Sequence, residues 1–221
     1  VKTWGGANSE STQGIAIHPA SSDVYVIGSF EGTADFDPDS GGYNLTSLGF
    51  NDAFLTKFDS AGDFKWARSW GGPDGDIARE LAVDASGNVW TIGEFRGTVD
   101  FDPSTGGTDS HTAAGNTDAF LSQIDSSGSF VMANTWGDAG AIVQALGIGF
   151  SSTGAIFVTG DFTQTVDFHP GVTTDYRQST GSFDAYVSKF DSSGNYNWVV
   201  TWGGMDTEYA QYLAIDSSNA I

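Results

Sequence analysis

Residues 52–71 read Asp-Ala-Phe-Leu-Thr-Lys-Phe-Asp-Ser-Ala-Gly-Asp-Phe-Lys-Trp-Ala-Arg-Ser-Trp-Gly. Two runs rich in aromatic and apolar side chains flank an Asp-Ser-Ala-Gly turn. Asp caps the local backbone there and Gly accepts positive φ, so the passage predicts strand, tight turn, strand. The second run alternates large and small side chains, as a half-exposed outer strand should. The passage returns twice, from Asp118-Ala119-Phe120 through the turn Asp125-Ser126-Ser127-Gly128, and from Asp184-Ala185-Tyr186 through Asp191-Ser192-Ser193-Gly194. Trp-Gly pairs punctuate the chain at Trp4-Gly5, Trp70-Gly71, Trp136-Gly137 and Trp202-Gly203, always 66 residues apart. A fixed period of this length marks an array whose units bury their apolar surface against their neighbours.

The units run 4–69, 70–135 and 136–201, and residues 202–221 open a further one. After each Trp-Gly comes a short apolar strand: Gly14–Ile17, Leu81–Val83, Leu146–Ile148 and Leu213–Ile215. A turn leads to a β-branched and aromatic strand ending in Gly: Val24–Gly28, Val89–Gly93 and Ile156–Gly160. A connection of about twenty residues then precedes the passage quoted first. No segment keeps a helical period with caps, so the chain reads as all-β. Four antiparallel strands per unit, repeated, are the pattern of β-propeller blades, and residues 1–221 read as a single propeller fragment of about three blades. Residues 1–4 are expected to be the tail of a fourth strand and 219–221 the start of a second one. Three blades do not close a ring, so self-association or the remainder of a longer chain is expected to cover the open sheet faces.

The strings Ala82-Val83-Asp84-Ala85-Ser86-Gly87-Asn88-Val89-Trp90, Gly97-Thr98-Val99-Asp100-Phe101-Asp102-Pro103, Asp118-Ala119-Phe120-Leu121 and Asp125-Ser126-Ser127-Gly128 resemble the bacterial seven-bladed β-propeller repeat, known as the SBBP repeat. The resemblance covers practically the whole chain. It implies secreted or surface-attached bacterial proteins, commonly multidomain, and brings no catalytic residues with it.

The 28 acidic and 8 basic residues give a formal charge of −20. Nucleic acid and anionic membranes would be repelled, because binding them needs Lys and Arg clusters. Such acidity suits salty or extracellular surroundings and also the holding of a hard cation. Cysteine is absent, which excludes disulfides and thiolate chemistry. No apolar run approaches 18 residues, so no helical membrane span is expected. The chain begins at Val1 rather than Met, as a chain does after loss of a leader or as a fragment.

Strand parity puts the tight Asp-Ser-Gly turns on one face and the long connections, 31–51, 96–117 and 163–183, on the other with the Trp-Gly crossovers. Long loops on a compact scaffold are the usual carriers of binding. They contain Asp35-Phe36-Asp37-Pro38-Asp39, Asp100-Phe101-Asp102-Pro103 and Asp167-Phe168-His169-Pro170. Residues two apart on an extended segment face the same way, so Asp35 and Asp37 point together, away from Phe36. Paired carboxylates suit Ca²⁺, which makes Asp35, Asp37, Asp39, Asp100, Asp102 and Asp167 the candidate metal ligands. The competing reading has Phe filling a gap between blades while Asp caps the turn before Pro. His18, His111 and His169 occupy non-equivalent positions without metal-ligand spacing. Trp66 and Trp198 share one outer-strand position and are the candidate carbohydrate-binding residues. No Gly-x-Ser-x-Gly elbow occurs, and no catalytic residue is assigned. The function expected is a non-catalytic extracellular module for binding protein or carbohydrate, or for assembly, at the bacterial surface. The alternative is a polysaccharide-acting enzyme domain using acidic residues in the central channel.

Overall fold

The computed structural model describes residues 1–39, 41–104, 106–171, 173–216 and 218–221. The first unit contains β1 (Gly5–Gly6), β2 (Glu10–Ile17), β3 (Val24–Phe30), β4 (Thr33–Asp35), β5 (Asn44–Thr46), β6 (Asp52–Phe58) and β7 (Phe64–Trp70). The second contains β8 (Ile77–Val83), β9 (Val89–Phe95), β10 (Thr98–Asp100), β11 (Ser110–Thr112), β12 (Asp118–Ile124) and β13 (Phe130–Trp136). The third contains β14 (Val143–Phe150), β15 (Ile156–Phe162), β16 (Thr165–Asp167), β17 (Tyr176–Gln178), β18 (Asp184–Phe190) and β19 (Tyr196–Trp202). No helix occurs among the described residues, and the chain is all-β.

Each unit builds one antiparallel four-stranded meander: β2-β3-β6-β7, β8-β9-β12-β13 and β14-β15-β18-β19. Registers repeat as well, from Phe30 opposite Asp52 to Phe95 opposite Asp118 and Phe162 opposite Asp184. Every first strand carries one unpaired residue, Gln13, Arg79 or Leu146. Every fourth strand carries another, at Lys65, Val131 and Asn197. Such bulges strengthen the local twist of the strand that bears them. The first strands also reach further than the sequence suggests, with polar residues such as Glu10 and Gln144 in the ladder.

The middle strands are buried on both faces, which is why they read as continuous apolar runs rather than alternations. In β9, Val89 and Phe95 pack with Tyr25, Leu55 and Trp66 of the first sheet. Their neighbours Trp90 and Ile92 belong instead to the core shared with Val158, Phe162 and Tyr186 of the third. Sheets therefore stack in chain order, first on second and second on third. No closed ring is formed among the described residues.

Among the described residues, 1–4 and 203–221 carry no ladder strand. Their positions still follow the repeat. Trp4 packs on Phe58 with ring centres 5.2 Å apart, as Trp136 packs on Phe190 at 5.7 Å. Leu213 and Ile215 lie alongside Gly149 of β14, and the Asp216 amide donates to the Ala220 carbonyl as the Asp84 amide does to Asn88.

Candidate functional site

The long connections are not open loops. Each folds into a short ribbon, β4-β5, β10-β11 or β16-β17, and the Trp-Gly crossover pairs with it. Gly5 stands opposite Asp35, Gly71 opposite Asp100 and Gly137 opposite Asp167. Crossovers and ribbons thus share one end of the sheets. Ser40, Thr105 and Val172 of these connections lie outside the described residues.

Phe36, Phe101 and Phe168, buried in each ribbon, are the plugs. Phe36 meets Phe30 edge-on at 5.3 Å and Phe54 at 5.0 Å, and Phe101 and Phe168 repeat that arrangement on Phe95 and Phe120, and on Phe162 and Tyr186. The aspartates before them tie the backbone. Oδ1 of Asp35 accepts from the amides of Asp37 and Tyr43, at 3.0 and 2.7 Å. Asp100 takes Asp102 and Asp109, and Asp167 takes His169 and Asp175. One residue pair later the motif recurs, as Asp37 accepts from the Asp39 amide and Asp102 from Ser104. His169 Nδ1 accepts from the Gly171 amide in the same way. An imidazole nitrogen replaces a carboxylate there because the position needs only an acceptor.

In the first unit Glu10, Asp35, Asp37 and Asp39 line one recess of about 480 Å³. Lys2 spans Asp39 and Asp63 at 3.0 Å each. Among the described residues, no three His, Cys, Asp or Glu side chains are grouped so as to hold a metal ion. A cation in this recess would draw on Oδ2 atoms, main-chain carbonyls and water, with Oδ1 of Asp35 and Asp37 already taken by amides.

A second set of aspartates explains the Trp-Gly pair. Asp52, Asp118 and Asp184 are buried at the start of the third strands. They accept from loop amides, Leu48 for Asp52, Ala114 and Gly115 for Asp118, and Thr180 and Gly181 for Asp184. A β-carbon at Gly71, Gly137 or Gly203 would run into these carboxylates, so only glycine lets the crossover pass. Burial raises the carboxyl pKa of Asp52 and Asp118 despite the amide donors. Asp76, enclosed between the amides of Gly72 and Arg96, is pushed up to about 7 by burial.

The two tryptophans differ. Trp66 is 8% exposed, edge-on to Tyr25 at 6.1 Å and close to Gly128 of the next unit's tight turn. Trp198 is half-buried against Phe157. They do not form one exposed platform, because the neighbouring turn covers the first. His18 and His111 hydrogen-bond Ser21 and Thr135, and His169 rests on the Tyr196 ring at 4.8 Å.

Sequence reasoning misses the polar cluster near the inner strands. Ser29, Glu94 and Asp161 are equivalent, each next to last in its second strand. Glu94 receives Arg79 at 2.5 Å and Gln144 Nε2 at 2.9 Å. Asp161 is fully buried, and neither carboxylate oxygen has a partner among the described residues. The available signal is a carboxylate wedged between Gly93 and Phe95, repeated between Gly160 and Phe162.

Among the described residues, no helix is long and apolar enough to cross a membrane. No family model matches the chain. It is similar, at 28% identity over 179 residues, to a protein of Caulobacter vibrioides named Regulatory protein FlaEY. That alignment takes in 80% of this chain but 18% of the relative, so the chain spans less than a fifth of that protein's length.

Proposed function

We propose that the three sheets are blades of a β-propeller and that the chain is a non-catalytic module for binding or assembly at the bacterial surface. The observation that carries this reading is the triplicate ribbon. Three connections, each far longer than a hairpin needs, are pinned by the same aspartate and phenylalanine at one end of the array. A scaffold that spends about twenty residues per unit on a rigid display suits recognition of a protein or carbohydrate surface. The strongly acidic balance favours partners other than nucleic acid or anionic lipid. Against the enzyme alternative stands the placement of the carboxylates with raised pKa. Asp52, Asp76, Asp118 and Asp161 are enclosed, the first three held by backbone amides, while Glu80, also raised by burial, is half-buried and accepts from the Leu81 amide.

The test places a photo-crosslinking residue at position 39 on the ribbon end, or at position 61 in an opposite turn, of the protein in its source cells. Adducts to one defined surface partner from position 39 alone are the expected result. Equal labelling from both positions, or adducts confined to cytoplasmic proteins, would overturn the reading.

A further inference from the structure

The cluster around Asp161 contains more buried negative charge than positive. Arg79 is the cation within it, and its guanidinium is engaged by Glu94. Gln144 crosses from β14 to the other Glu94 oxygen, linking the third sheet to the second. The same Gln144 is the ladder partner of Asp161, and its carbonyl accepts from the Tyr186 hydroxyl at 2.9 Å. Glu94 therefore has two donors, while Asp161, in the same neighbourhood, has none among the described residues. An ionised carboxylate without donor or counter-ion is among the costliest groups a core can hold. A proton removes the charge and leaves the smaller cost of an unpaired neutral carboxyl.

We propose that Asp161 is carried in the folded protein as a neutral carboxylic acid, and that loss of its proton loosens the junction between the second and third sheets. Burial and then the Glu94 charge push its pKa up to about 7, with Arg79 opposing. The charged groups acting on it are Glu94 from β9 and Arg79 from β8, and its own charge acts in turn on the buried Tyr186 phenol of β18. Ionisation sets a second negative charge against Glu94 across the Gln144 link. The first junction has Ser29 at this position and lacks the device.

The sign follows from linkage. A carboxyl whose pKa is raised on folding favours the folded state most below its unfolded pKa, near 3.9. That contribution is lost as pH rises to about 7 and is level above it. Three units at tenfold each give up to about a thousandfold in the folding equilibrium constant.

The experiment is urea unfolding of the full chain between pH 5 and pH 8, with parent, Asp161→Asn and Glu94→Gln compared. It is joined by infrared detection of protonated carboxyl groups and by hydrogen exchange at residues 143–145. Asp76, also near 7, contributes to the slope and band of every variant, so the difference between variants is what is read. Asp161→Asn is expected to flatten the pH slope and remove one protonated-carboxyl band. Glu94→Gln is expected to move that band's titration to lower pH, which tests the idea even if the asparagine variant folds poorly. With the intrinsic base-catalysed rise divided out, protection at 143–145 should fall with pH in the parent and stay level in Asp161→Asn. Equal slopes and bands in parent and Asp161→Asn would overturn the proposal. So would stability that follows the identity of the monovalent cation at constant pH, which would make the neutralising group an ion.

Discussion

The first sheet meets the second, and the second the third, through equivalent backbones and unlike side chains. At the first junction Trp66 and Arg68 of β7 reach over Gly128, and the Arg68 guanidinium donates to the Gly128 carbonyl at 2.7 Å. At the second, Met132 and Asn134 occupy those positions, and Asn134 donates to the Gly194 carbonyl at 2.7 Å. Gly128 and Gly194 hold nearly the same positive φ, 87° and 81°. The constant part of the interface is thus a turn glycine offering its carbonyl to the outer strand before it. An indole with a guanidinium and a thioether with an amide satisfy that geometry equally. Near the inner strands the contrast reverses in character, with the hydroxyl of Ser29 at the first junction and the Glu94, Arg79 and Gln144 network at the second. One junction is therefore anchored mainly at its outer edge, and the other has an additional charged tie at its inner edge.

The largest expected difference comes from removing the outer anchors. Trp66→Ala strips a buried indole from the first junction and should cost about 3–5 kcal/mol. Met132→Ala, at a half-buried site, should fall near the bottom of the range for Met, about 2 kcal/mol. Urea midpoints of the two variants compare them directly. Equal losses would mean that the junctions share their load through the inner strands, contrary to the division drawn above.

The polar anchors should separate by less. Arg68→Met keeps much of the packing stem but leaves the Gly128 carbonyl without its charged donor, and the Tyr43 hydroxyl loses a partner as well. About 1.5–3 kcal/mol is expected for a charged hydrogen bond, against about 1 kcal/mol for the neutral one lost in Asn134→Ala. A cycle combining Arg68→Met with Trp66→Phe measures how far the guanidinium, 5.5 Å from the indole centre, acts through that ring. Strict additivity would assign the effect to contacts other than the ring, chiefly the Gly128 carbonyl and the Tyr43 hydroxyl.

What could be read in the residues follows a physical line. Third and fourth strands are legible because Asp59, Asp125 and Asp191 with their glycines fix the turn between them by local chemistry. The plugs Phe36, Phe101 and Phe168 are legible as the apolar member of an otherwise polar motif. The bulges at Gln13, Arg79 and Leu146 are not, because Gln, Arg and Leu share no local preference that would mark an extra residue. Burial of Trp66 is equally hidden, since the cover comes from Gly128, 62 residues later. The ribbons pair through backbone groups, which leave little trace in side-chain pattern. Glu94 and Asp161 sit where the apolar runs end at Gly93 and Gly160, so they read as the start of a loop rather than as part of a strand.

The smallest expected effect separates the first ribbon from the third, and it concerns calcium. Asp35, Asp37 and Asp39 line one recess in the first unit, whereas the third has Asp167 beside His169, a poor ligand for so hard a cation. Two Oδ1 atoms already hold amides, and Lys2 is paired with Asp39, so a calcium ion there competes with existing partners. Weak binding of the kind extracellular modules show, with Kd of roughly 10⁻⁴–10⁻³ M, is expected. At 1 mM calcium the linkage relation RT ln(1 + [L]/Kd) then gives about 0.4–1.4 kcal/mol. Thermal melts in chelator and in millimolar Ca²⁺ should show a rise of that size in the parent. Asp37→Ala should abolish the rise, while His169→Ala should leave it intact. Magnesium in place of calcium controls for simple screening of the acidic surface, since it demands a tighter octahedral cage that this recess does not offer. A melting temperature that calcium does not move would leave Asp35, Asp37, Asp100, Asp102 and Asp167 with the role their hydrogen bonds already describe, as caps that hold each ribbon against its phenylalanine, and Asp39 as the partner of Lys2.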